Sequence, residues 1–277
     1  MNTFGTQHIL ERDGCPIHYW LTGPEDGPAI VFNHTGFVDH TMFESQVALL
    51  APHYRILTWD MRGHGLSQPL RGTLSYQDAA NDLVALLDYL EIEQAILVGV
   101  SMGGCAAQEV IFRHPERVTA LVLVGCPCIT MDAAKSFMLV SRIFLGMAHL
   151  LPGKILQRLM VASANMSVPS SVPEVQAYIR KSTERIAKPT GIAMFRSVLN
   201  GFHNEPDYQI TQPLLLMHGD QDSPPIRQQM PIWAKRDPNC RYEVISDAGH
   251  NANQDNPVVF NNLLKEFLVE QTGIQIK

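Results

Sequence analysis

Several things are missing from this 277-residue chain. It has no block of lysine or arginine, and 21 basic against 27 acidic residues leave a formal net charge of −6. A protein that tracks phosphates would show a basic face, so nucleic acid is not an expected partner. No window holds the ~18 consecutive apolar residues of a membrane span. The nearest approach, Phe137 to Leu151, is interrupted by Arg142 and His149. Residues Met1 to Trp20 carry Glu11, Arg12 and Asp13 without an apolar stretch, so no secretory leader is expected there. Cysteine is sparse: Cys15, Cys105, Cys126, Cys128 and Cys240 form an odd, scattered set, a poor disulfide framework. Cys126-Pro-Cys128 leaves too little chain between its thiols for the usual zinc spacing, and a second pair is lacking. No metal and no cofactor are expected, and reduced thiols suit a cytoplasmic setting.

What is present is a globular composition, 45% hydrophobic and 17% charged, on a chain long enough to bury one large core without staples. Continuous apolar runs mark strands buried on both faces: Ala29 to Phe32, Tyr54 to Trp59, Ala95 to Val98, Ala120 to Val124, Leu214 to Met217 and the shorter Tyr242 to Ile245. Pro16 to Thr22 reads as a further strand, entered through an Asp13-Gly14 hairpin turn. Helical spacing alternates with these runs. In Ser75 to Leu90, Leu83, Leu86, Leu87 and Leu90 share a face behind a Ser75–Asp78 capping pair. Met102 to His114 ends before Pro115, and Pro257 to Glu270 opens on proline. Strands alternating with helices predict an α/β fold with a mostly parallel sheet and helices on both faces. The alternation fails between residues 131 and 212, where helical patterns replace strand runs. That segment reads as an insertion over a core made of residues 1–130 and 213–277.

One pentapeptide carries chemistry. Gly99-Val100-Ser101-Met102-Gly103 matches G-x-S-x-G, with a buried strand before it and a helix after it. A sharp strand-to-helix turn would present Ser101 at a helix N-terminus, where unpaired N–H groups favour negative charge. The Met102 N–H could then stabilise an oxyanion. A serine hydroxyl needs a base. His250, in Asp247-Ala248-Gly249-His250 after a strand, is the candidate. The orienting acid should come from His218-Gly219-Asp220-Gln221-Asp222, where Asp222 lies further out and Asp220 could brace the turn.

With these residues the chain resembles the α/β-hydrolase superfamily over nearly its whole length. The matching stretches are Asn33-His34-Thr35-Gly36-Phe37, Asp60 to Ser67, Gly99 to Gly104, and the downstream Asp222 and His250. It looks closest to non-haem haloperoxidase-like esterases, enol-lactone hydrolases and C–C bond hydrolases. The resemblance implies an eight-stranded sheet and a helical cap inserted after the sixth strand. It implies Ser101 as nucleophile, Asp222 as acid and His250 as base, with Met102 N–H as one oxyanion donor. The second donor should be a backbone N–H after Phe32. Thr35 stands where the family usually has glycine, which makes Gly36 the assignment and Thr35 or Phe37 its neighbours in contention.

The expected activity is cleavage of small to medium, mostly apolar carboxylic esters or lactones through an acyl-enzyme. Phe37, Phe137, Met138, Phe144, Met147 and His203 are candidates to line the substrate pocket. The expected partner is that small molecule, with a homodimer as one admissible assembly. Three alternatives stay open: an enol-lactone or C–C bond hydrolase, for which Arg142, Arg180 or Arg196 could receive an acid group; an acyltransferase or perhydrolase; and a ligand-binding signalling protein on the same scaffold. Haloalkane dehalogenase and epoxide hydrolase chemistry would need aspartate in place of Ser101.

Overall fold

The computed structural model describes residues 3–276 apart from 133–134, 149, 168, 204 and 206; the side chains at 135–137, 140, 163 and 165–167 are also outside the description. Eight strands form one sheet: β1 (Thr6–Arg12), β2 (Cys15–Thr22), β3 (Ala29–Asn33), β4 (Arg55–Trp59), β5 (Ala95–Val100), β6 (Val118–Val124), β7 (Leu214–Gly219) and β8 (Cys240–Ile245). Their spatial order is β1-β2-β4-β3-β5-β6-β7-β8. β1 and β2 pair antiparallel around Asp13 and Gly14, whose φ values of 50° and 74° are what a two-residue hairpin loop demands. β2 is antiparallel to β4, and every later pairing is parallel. β5, β7 and nearly all of β6 are buried along their length, which is why their sequences are apolar runs and not alternations.

The helices are α1 (Glu44–Leu50), α2 (Tyr76–Tyr89), α3 (Met102–Arg113), α4 (Lys135–Ala148), α5 (Gly153–Ser167), α6 (Pro173–Thr183), α7 (Lys188–Asn200), α8 (Pro224–Arg236), α9 (Ala252–Asp255) and α10 (Pro257–Thr272). α1 packs with α10, and α2 with α3, which lies against β3, β5 and β6. Ser75 caps α2 by accepting from Asp78 N–H at 3.0 Å. The reciprocal contact differs from a capping box. Asp78 Oδ2 accepts from the Ser75 hydroxyl at 2.8 Å. Aspartate is one methylene shorter than the usual glutamate, which reaches back to the cap N–H.

Helices α4 to α7 all lie between β6 and β7, where the strand runs stop. Among the described residues four helices fill the stretch where helical patterns replace strand runs. α6 was silent because its buried side chains include only Val175 and Ile179 as apolar residues, beside Ser182 and Thr183. The inserted helices pack as α4 against α7 and α5 against α6. Side chains tie them to the core. Tyr178 hydroxyl donates to Asp39, and the buried Thr190 sits against Gly63. Below them, Arg62 holds Asp82 with two hydrogen bonds of 2.6 Å and donates a third to Thr73 O at 3.0 Å. This buried fork fixes the Asp60–Ser67 loop to α2.

Candidate active site

In-register parallel pairing brings several strand ends to one edge of the sheet. Val100 pairs Val124, Val124 pairs Met217, and Gly219 pairs Ile245. The residues that follow these pairs are therefore neighbours: Ser101 after β5, Gly125 after β6, Asp220 to Asp222 after β7 and Asp247 to His250 after β8. Ser101 stands at φ 51°, ψ −113°, between β5 and the first residue of α3. Its N–H donates to Val124 O at 2.8 Å. Gly103 makes the turn possible by close approach, since a Cβ there would lie 2.1 Å from Asn33 O. Among the described residues, Ser101 Oγ makes no hydrogen bond.

Of the two aspartates after β7, Asp222 meets the histidine. His250 Nδ1 lies 2.8 Å from Asp222 Oδ1, which also accepts from Ser223 N–H at 2.6 Å. Asp220 instead accepts from Ala248 N–H at 3.1 Å and so ties the β7 and β8 loops together. Both members of the Asp222–His250 pair are buried. Burial by itself would lower the His250 pKa, but the charge and hydrogen bond of Asp222, with the charge of Asp255, hold it above the ordinary value of 6.5. Gly125, at φ 54°, lies against the pair: a Cβ there would be 2.9 Å from Asp222 Oδ2 and 3.2 Å from His250 Nδ1. The sequence offered no motif for Gly125. Its signal was only a glycine one residue past a buried strand.

The loop after β3 is set by His34. Its Nε2 accepts from Met61 N–H at 2.9 Å, which leaves the proton on Nδ1 to be donated to Thr35 O at 2.7 Å. Burial lowers the His34 pKa and favours this neutral form. A trans peptide points its N–H opposite to its carbonyl. Holding Thr35 C=O on one side therefore turns Gly36 N–H to the other. A methyl group built on Gly36 would lie 3.8 Å from Met102 Sδ, so Gly36 and Met102 are adjacent. The role of His34 as the group that orients this peptide was not legible in the sequence.

The predicted lining residues separate. Phe37, at φ 72°, lies 6.3 Å from the Phe195 ring, and Phe195 stacks on Phe144 at 3.8 Å. A Cβ on Gly36 would meet Met194 Cε at 2.8 Å. Phe37 and Phe144 thus share an apolar cluster with Met194 and Phe195 of α7, two residues the sequence reading passed over. Met138 is half-buried on α4, and the Phe137 side chain lies outside the described residues. Two assignments need correction. Met147 is 44% exposed, together with Leu139 and Ile143 at the same helical spacing, and so faces solvent. His203 is held away from the site: its Nε2 lies 2.6 Å from Glu109 Oε1 and its ring stacks on Phe112 at 4.8 Å. An imidazole with a buried carboxylate in reach pairs with it instead of lining an apolar cavity.

The comparisons with known proteins agree with this architecture. The family model described as serine aminopeptidase, S33 matches residues 26–254. The chain is 24% identical over 269 residues to 3-oxoadipate enol-lactonase 2 of Acinetobacter baylyi, covering 96% of this chain and 97% of that one. To 3-oxoadipate enol-lactonase 1 of the same organism it is 42% identical over 99 residues, a match spanning 36% of this chain and only 37% of that protein. The enol-lactonase structure from Burkholderia xenovorans superimposes with a TM-score of 0.81 at 24% identity, over 95% of this chain and all of the other. A model match over most of the length, on an eight-stranded sheet with the strand-turn-helix serine in place, shows that the chain belongs to the serine aminopeptidase S33 family of α/β-hydrolase-fold enzymes.

Proposed function

We propose that the protein cleaves small to medium, mostly apolar carboxylic esters or lactones, with Ser101 as nucleophile, His250 as base and Asp222 as orienting acid. The observation that carries this reading is the buried Asp222–His250 contact at 2.8 Å, on strand ends next to a serine held at positive φ. Asp222 holds the proton on His250 Nδ1 and leaves Nε2 free to take the proton of Ser101 Oγ. The serine oxygen attacks the carbonyl carbon, and the oxyanion is received by the N–H groups of Met102 and Gly36. Met102 opens α3, where N–H groups lack intrahelical partners. One such donor is worth about 3 kcal/mol in a water-excluded site. The imidazolium then protonates the leaving alkoxide. Water, deprotonated by His250, releases the acid and restores Ser101. No metal or cofactor enters these steps.

The pocket supports a neutral, apolar acyl group. Phe37, Phe144, Met194 and Phe195 gather beside the Gly36 loop, while Arg142, Arg180 and Arg196 are all exposed. An acid-bearing enol-lactone would need a cation at the acyl end, and none of these three is buried there. All five cysteines are free and four are buried, which fits the cytoplasmic setting. No helix among the described residues is long and apolar enough to cross a membrane.

The test is labelling with a fluorophosphonate beside a Ser101→Ala variant, with peptide mapping, followed by a panel of esters and lactones. Labelling at Ser101 that is lost in the variant, with turnover of neutral esters, is the expected result. A folded protein that neither labels nor turns over any ester would remove the reading.

A further inference from the structure

The inserted helices meet the core at the loop that carries His250. The linker between α5 and α6 contains Pro169, Ser170 and Val172. Pro169 O accepts from the backbone N–H of His250 at 2.8 Å. The N–H one residue earlier, that of Gly249, donates to Asp255 Oδ2 at 2.7 Å. The other oxygen of the same carboxylate accepts from the Ser170 hydroxyl, which itself accepts from Val172 N–H at 3.1 Å. Two consecutive N–H groups of the base loop are thus engaged, one by the linker directly and one by a carboxylate that also grips the linker. The approach is so close that a Cβ on Gly249 would lie 1.9 Å from Pro169 O.

Asp255 is itself fixed by the loop it serves. It is the last residue of α9, and its N–H donates to Asn251 O at 2.9 Å, one residue after His250. A plain loop brace would need only the bond to Gly249. The bond to Ser170 reaches a segment 85 residues away and has no part in folding the loop. We propose that Asp255 is a positioning residue that clasps the inserted helices to the base loop, so that closure over the site and placement of the His250 imidazole are one coupled event. With the linker down, both N–H groups are paired and the ring is held toward Asp222. With the linker lifted, His250 N–H loses Pro169 O and the Asp255 carboxylate loses the Ser170 hydroxyl, so the loop slackens. Acyl transfer then proceeds only in a closed, drier site. The functional consequence rests on the ester-hydrolase reading; the clasp itself does not.

The test uses the full chain and three variants. Ser170→Ala removes the linker end of the clasp. Asp255→Ala removes both ends. Asp255→Asn keeps a group able to accept from Gly249 N–H and to donate to Ser170 Oγ, but carries no charge. Amide hydrogen exchange at Gly249 and His250 is expected to rise about tenfold or more in Ser170→Ala and Asp255→Ala, with exchange in β5, β6 and β7 unchanged. On a neutral ester, kcat should fall about tenfold or more in both while KM stays within a few-fold. Asp255→Asn should restore the protection and most of kcat, and should move the acid limb of the kcat/KM profile to lower pH. Unchanged exchange at 249 and 250 in Ser170→Ala would overturn the clasp, whatever Asp255→Ala does, because Asp255 would then brace the loop alone. So would an Asp255→Asn enzyme as slow and as unprotected as Asp255→Ala. If the wild type turns over no ester, the hydrolase reading fails while the exchange measurement still decides the clasp.

Discussion

At Ser101 the backbone occupies a region that side-chain-bearing residues avoid, at a typical cost of about 1–3 kcal/mol. Ser101→Gly should relieve this and raise unfolding stability by about 1 kcal/mol over Ser101→Ala. Both variants should lose ester turnover by several orders of magnitude, so urea titrations beside rate assays separate strain from chemistry. Asp222→Asn should cut kcat about 10⁴-fold, because an amide can no longer hold the required His250 tautomer. The pH dependence follows from His250. Its pKa is raised above 6.5, and it must be neutral to accept the serine proton. Activity should therefore fall as pH drops through a value above 6.5, seen as the acid limb of kcat/KM. The linked stability runs the other way. A raised histidine pKa contributes fully below the unfolded value and is lost as pH rises through the folded one.

Between residue and fold stand the turns and clamps that set each element. Gly103→Ala places a methyl carbon 2.1 Å from Asn33 O, and the neighbour is backbone, so relaxation is poor. A loss of about 3 kcal/mol is expected in chemical denaturation. The Arg62–Asp82 fork is a buried ion pair with side-chain exposures of 4% and 0%. Asp82→Ala should cost about 3–5 kcal/mol, because it strands a guanidinium in the interior. At this scale the sequence was readable where burial imposes a pattern. β5 and α3 announced themselves through an apolar run, a glycine turn and a helical face. α7 did not, although Met194 and Phe195 reach the Gly36 loop. Its buried face carries Thr190, Gly191 and Ser197 beside Met194 and Phe195, so small and polar residues interrupt the apolar stripe.

Considered as a whole, the molecule is a sheet with a helical insertion pinned over one edge. The pins are chemically varied: Tyr178 to Asp39, His203 to Glu109, and Pro169 and Ser170 to the base loop. The cluster of Phe37, Phe144, Met194 and Phe195 that they enclose predicts substrate choice. Esters with neutral aliphatic acyl groups should exceed their carboxylate-bearing analogues in kcat/KM by at least about tenfold, since a charge moved into such a site without a partner is poorly tolerated. Parity between the two series in initial-rate assays would direct attention to a cation at the acyl end.

The chain's own residues determined the sheet, its parallel sense and the strand-turn-helix setting of Ser101. Each of these depends on local burial and on turn chemistry, which leave marks at spacings of two, three or four residues. Only the tertiary structure brought Asp222 to His250 and Asp220 to Ala248, paired His203 with Glu109, turned the Gly36 N–H through His34, and joined Asp255 to Ser170. Those outcomes depend on which loops meet in space across tens of residues. Hydrogen-bond partners at that range leave no period in the sequence, because a buried donor takes whichever acceptor the packed fold brings within reach.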